Sequence, residues 1–192
     1  MRTDARMTEE DKALLAGMVG KTLGLCQYDV PFRIGTAHNI IGLEVDGLSY
    51  CIANILEPRD LWGEKEEVPV ISVHRGGLDE VGRKLGCADP IGPLKRHEET
   101  FGRRIRDVLV YEDELFEFQN GVDLHSIIHT RAILFKLEGT QLVIRMGDCF
   151  DEAIFVMRGP DAARKIPEAA AYVYEDERDH ERAERSIVSL KG

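Results

Sequence analysis

The chain reads as an α+β protein of mostly antiparallel β-sheet, with an N-terminal helix, a short middle helix and a C-terminal helix. Three observations carry this reading. Apolar and polar residues alternate through 39–56 and through much of 105–158, the period of a strand with one buried face. Asp46-Gly47 and Asn120-Gly121 separate such runs, and both dipeptides suit the positive φ values of a two-residue hairpin turn. Helical spacing is confined to stretches near 8–25, 78–86 and 161–174.

Taken in order, Thr8 caps the first helix, with Asp11 completing a capping box. Leu14, Leu15, Met18, Val19 and Leu23 supply its apolar stripe over 8–25. Gly17, Gly20 and Gly24 weaken that helix by roughly 1 kcal/mol each against Ala. A hairpin over 39–56 turns at Asp46-Gly47. A charged loop from Leu61 to Glu67 holds the lone tryptophan, Trp62. Val68 to His74 is a strand, and Pro69 marks it as an edge or a strand start. Leu78, Val81 and Leu85 make a two-turn helix ended by Gly86.

The stretch 87–102, rich in proline and glycine, reads as a loop. Strands follow at 105–111, 115–119, 122–129, 133–137, 141–146 and 153–158, with Glu112-Asp113-Glu114 as a turn. Asp161 opens an Ala-rich helix that Pro167 interrupts. The highly charged 175–185 is a solvated helix or connector, and 186–190 forms a short last strand.

Two stretches echo each other. Aligning Gly47 with Gly139 matches Ile41 to Ile133, Leu43 to Phe135, Val45 to Leu137 and Ile52 to Ile144. Each hairpin is followed by an Ile-x-Val-x-Arg-Gly segment, Ile71 to Gly76 and Ile154 to Gly159, and then by a helix. The pattern sets up a candidate internal duplication of a β-β-β-α unit, with pseudo-repeats at 38–86 and 131–174 inside a single domain spanning 1–192. Unequal spacing weighs against it, as does the likeness of any two amphipathic hairpins.

Composition narrows the function. The formal net charge of -10 disfavours sequence-independent binding to nucleic acid, which needs a basic surface, and no nucleic-acid partner is expected. Cys26, Cys51, Cys87 and Cys149 are scattered with no Cys-x-x-Cys pair, so paired zinc knuckles and thioredoxin-like motifs are absent. The N-terminal residues lack an apolar signal region, and no apolar run reaches the roughly 20 residues of a membrane-spanning helix. The expectation is a cytoplasmic protein with reduced thiols and no membrane contact.

Local motifs yield no reaction. Gly20-Lys21-Thr22 mimics the end of a phosphate loop, but position 15 is Leu15 where the motif needs glycine. His125 and His129 share a strand face roughly 13 Å apart, too far to hold one metal ion, and read as a surface pair. Cys51 reads as core, and Cys149 sits beside Asp148 and Asp151, a setting that disfavours a thiolate. No serine lies in a Gly-x-Ser-x-Gly elbow. No metal and no cofactor are expected.

What remains is a non-catalytic protein acting through protein or small-ligand binding, with a protein partner or self-association as a homodimer. His38, His74, Arg75 and Arg158 are the candidate ligand-binding residues, and Trp62 the candidate partner anchor. Two rivals stand beside this reading. One is an enzyme or ligand-binding barrel whose polar residues converge between two β units. The other is an acidic inhibitor or immunity-like protein that binds a basic partner.

Overall fold

A computed structural model of the protein describes residues 1–29, 36–37, 40–61, 63–86, 96–119, 122–147, 153–169 and 180–191. The strands are β1 (Arg2–Ala5), β2 (Thr22–Asp29), β3 (Thr36–Ala37), β4 (Ile40–Val45), β5 (Leu48–Leu61), β6 (Glu64–Arg75), β7 (Arg96–Gln119), β8 (Val122–Leu137), β9 (Thr140–Met146), β10 (Ile154–Gly159) and β11 (His180–Ser189). Two α-helices, α1 (Glu9–Ala16) and α2 (Leu78–Leu85), and one 3-10 turn over Ala162–Lys165 complete the described elements. The sheet runs β3-β10-β9-β8-β7-β2-β4-β5-β6, with β1 added to β8 and β11 to β7. Among the described strand pairs, β1–β8 alone is parallel. The α+β class with a mostly antiparallel sheet is therefore as the sequence predicts.

Two four-stranded meanders make up most of this sheet, β2-β4-β5-β6 followed by α2, and β7-β8-β9-β10 followed by the 3-10 turn. Their registers match step for step. Leu23 faces Val45 and Ile105 faces Leu137, and each pair adjoins a bulge before Leu25–Glu44 and Asp107–Lys136. Val45–Leu48 and Leu137–Thr140 close the hairpins. Tyr50 faces Arg75, and Leu142 faces Arg158. Gly76 and Gly159 then both turn at positive φ, 131° and 123°. Each meander also gains a fifth strand. The N-terminal part of β7 lies on β2, and β11 lies on the C-terminal part of β7.

Alternation explains the core. Leu23, Cys26, Ile41, Leu43, Tyr50, Ile52, Ile71 and Val73 from the first meander bury against Ile105, Val108, Ile133, Phe135, Leu142, Ile144, Ile154 and Val156 from the second. Behind this shared core, Leu78, Val81 and Leu85 of α2 cover Ile40, Cys51 and Ala53. Ala162 and Ile166 likewise cover Ala132, Leu134 and Val143. The tight Asp46-Gly47 turn holds both residues at positive φ, 49° and 74°, which suits the right-handed twist of its strands.

The first helix is shorter than its apolar stripe suggests. Thr8 caps it and Asp11 completes the capping box, as expected. It stops at Gly17, however, and Leu23, Cys26 and Tyr28 bury at strand spacing in β2. Asp11 also accepts the Val73 N–H at 2.7 Å through Oδ1, blunting the outer edge of β6, the terminal strand that Pro69 marks.

Other expectations need correction. The 61–67 loop is the far end of a long β5–β6 ribbon paired from Tyr50–Arg75 out to Leu61–Glu64. Residues 96–102 belong to β7 and not to a loop. Glu112-Asp113-Glu114 is no turn: Glu112 and Asp113 are buried inside β7 because cations reach them. His129 is buried, so His125 and His129 are not a surface pair. Among the described residues there is no C-terminal α-helix. Only a single 3-10 turn follows Asp161, and His180–Ser189 is a strand because β7 offers it a free edge.

Candidate functional site at the seam between the meanders

Of the five residues singled out from sequence, His38 and Trp62 lie outside the described residues. His74 is half-buried on β6, its Nε2 2.9 Å from Ser72 Oγ. Arg75 follows it and is exposed. Arg158 sits at the matching position of the second meander. No hydrogen bond or ion pair joins any two of His74, Arg75 and Arg158 among the described residues. The one with a built surrounding is Arg158.

Arg158 Nη1 pairs with Glu99 Oε1. Glu99 stands on the part of β7 that serves as fifth strand to the first meander, opposite Cys26. The ion pair therefore spans from the last strand of one unit to the added strand of the other. Next to it in register, Tyr28 faces His97, and their rings lie 5.0 Å apart at 49°, within the range of a favourable aromatic contact. Burial raises the Tyr28 phenol above its ordinary pKa, while the positive charge of Arg158 pulls the other way. Gln27 Nε2 donates to Glu98 Oε1 at 2.6 Å, fixing the neighbouring carboxylate. Beneath these groups Cys26 belongs to the core, and burial pushes its thiol up to about 12.

The geometry is asymmetric in a useful way. The Arg158 side chain is 60% exposed while Glu99 is 10% exposed. A partly sheltered carboxylate thus holds a guanidinium whose other N–H donors reach solvent. Beside it the exposed His97 lies against the ring of the buried Tyr28.

Of the residues grouped here, Arg158 alone was singled out from the sequence, and Tyr28, His97 and Glu99 were not. Tyr28 followed a stripe read as helix, and the other two fell in a stretch read as loop. The period-two run His97, Glu99, Phe101 was the available signal.

Other polar clusters are internally matched. Lys12 Nζ lies 2.9 Å from Glu112 Oε1, and Arg6 Nη1 lies 3.7 Å from Oε2. Arg185 grips Asp113 through two 2.6 Å bonds and donates a third to Pro167 O at 2.7 Å. Arg131, fully buried, donates to Gly147 O at 2.6 Å. Among the described residues, no group of three or more His, Cys, Asp or Glu side chains is placed to hold a metal ion. None of their helices is long and apolar enough to cross a membrane. No family model, curated protein or solved structure matches the chain.

Proposed function

We propose that this is a non-catalytic binding protein that holds a small planar acidic ligand at the seam between its two meanders. The observation that supports it most is the exposed Arg158 guanidinium, anchored by Glu99 beside the Tyr28–His97 pair. The matching registers support a finer reading of the fold as well, in which the two meanders descend from one duplicated unit.

Amide NMR titration with benzoate, against neutral benzamide as control, tests the site. Benzoate should shift the amides of 26–28, 97–99 and 156–158 more than benzamide does. Arg158→Ala should weaken binding by about tenfold, the value of a charge-assisted hydrogen bond. Equal shifts from both probes, or shifts scattered over the surface, would remove the support.

A second reading rests on the far end of the β5–β6 ribbon, where Asp60, Glu64, Glu66 and Glu67 are exposed. There the acidic surface docks a basic protein. Retention on a polylysine surface that falls steeply with salt, and falls further in a Glu64→Gln/Glu66→Gln/Glu67→Gln variant, is its expected signature.

A further inference from the structure

The ladder that joins the two meanders is symmetric about one residue pair. Thr22 stands opposite Arg104, and Leu23 opposite Arg103. On the other side of that pair, Ile105 N donates to Lys21 O at 2.8 Å. Leu23 and Ile105 are the matched residues that adjoin the two bulges, so Lys21 and Arg103 take matching places about Thr22–Arg104. The glycines before them match too, Gly20 and Gly102, at positive φ of 85° and 54°. Each hairpin turn meets the central pair in the same way. Asp46 N donates to Thr22 O at 2.9 Å, and Glu138 N to Arg104 O at 3.0 Å.

This symmetry gathers three cations. Lys21 and Arg103 are diagonal neighbours across the ladder, a separation of about 7–8 Å that long side chains can bridge. The Arg104 guanidinium lies over Gly20, its Nη2 3.7 Å from where a β-carbon on that glycine would sit. Arg103 and Arg104 are exposed, and Lys21 is half-buried. Among the described residues, no hydrogen bond or ion pair engages the side chain of any of the three. In a chain of net charge -10 this stands apart, since Arg2, Arg6, Arg59 and Arg158 each meet a carboxylate. The acids of the two turns are engaged elsewhere. Asp46 Oδ1 accepts the Thr22 N–H at 2.9 Å, and Glu138 pairs with Arg106 at 2.6 Å.

We infer that Lys21, Arg103 and Arg104 form a binding site for a phosphoryl group. Like charges held together repel one another, and an anion between them reverses the sign of that interaction. A phosphoryl group suits the cluster by charge and by shape. It carries about -1.5 to -2 near pH 7 with three strong acceptor oxygens. An arginine fork can engage two of those oxygens, and a lysine adds a point charge. The site owes nothing to the phosphate loop that Gly20-Lys21-Thr22 mimics, because its donors are side chains from two strands. It is independent of Arg158 and Glu99.

Amide NMR of the full chain at pH 7 tests the site, with inorganic phosphate titrated at an ionic strength held constant by sodium chloride. Amides of 20–23 and 102–105 should shift saturably. Lys21→Gln should weaken binding about tenfold, and Arg103→Gln/Arg104→Gln about a hundredfold, at one charge-assisted hydrogen bond per cation. The two variants are read separately, so one that disturbs folding leaves the other decisive. Pyrophosphate distinguishes the sources: tighter binding at the same amides assigns the site to a phosphate chain, and equal binding to a single phosphoryl group. Shifts that sodium chloride alone reproduces overturn the inference. So do shifts confined to 97–99 and 156–158, or binding that is unchanged in either folded variant.

Discussion

Removing the carboxylate of Asp113 is the sharpest probe of how β11 is held. Arg185 meets Asp113 through two parallel 2.6 Å bonds, with side chains 17% and 1% exposed. Asp113→Asn keeps the shape but leaves a partly buried guanidinium facing a neutral amide. Breaking one side of a buried pair costs about 3–5 kcal/mol. The residual exposure of Arg185 and its bond to Pro167 O place the expected loss near the lower end, about 3 kcal/mol. For a chain of this size that corresponds to a fall of about 10 °C in melting temperature. Urea denaturation measures the loss. Hydrogen exchange locates it, and amides of 182–190 should lose protection before those of β4 or β9. The double replacement Asp113→Leu/Arg185→Met should recover much of the stability, because an apolar pair requires no desolvation of charge. A loss below about 1 kcal/mol, the value of an ordinary surface pair, would refute the reasoning.

Two further outcomes are expected. Asp11→Ala removes both the capping box of α1 and the acceptor for Val73 N–H, so it should cost about 2–3 kcal/mol. Asp11→Asn should cost less, and fast exchange of the Val73 amide in the alanine variant checks the second contact. Burial pushes the Cys26 thiol from an ordinary 9.0 up to about 12. The fold therefore favours the protonated form, so this contribution is complete below pH 9 and is lost as pH rises toward 12. The fall in urea midpoint above pH 9 should be shallower in Cys26→Ala, and thiol reagents at pH 8 should reach Cys26 only after denaturation.

The hairpins and caps were legible because their causes are local. Thr8 and Asp11, Asp46 and Gly47, and Gly86 at the end of α2 act through neighbours in sequence. The register within each hairpin was legible too, Ile41 opposite Ile52 and Ile133 opposite Ile144, since alternation and turn position fix register. Partners far along the chain were not legible. Asp113 looked like a turn residue because Arg185, the group that permits its burial, stands 72 positions away. The charged run around Arg182 looked helical or solvated because the edge it joins exists only after β7 has formed. The same limit hid the seam: Glu99 and Arg158 meet only once β10 and β7 are in place. Tyr28 was masked more simply, by glycines and leucines that continue a helical spacing past the point where Gly17 stops it.

The double duty of β7 has a consequence for how the chain assembles. One strand of 24 residues serves the first meander with its N-terminal part and founds the second with the remainder. During synthesis, β2 through α2 emerge with one flank of β2 bare, and that flank is closed only by residues made later. A fragment ending after α2 would carry an open ladder at β2 and half a core, since Ile41 and Ile52 pack against Ile133 and Ile144. Topologies of this kind, dominated by distant pairings, fold slowly. A fragment covering β2 through α2 is therefore expected to lack a complete core until the second meander joins it.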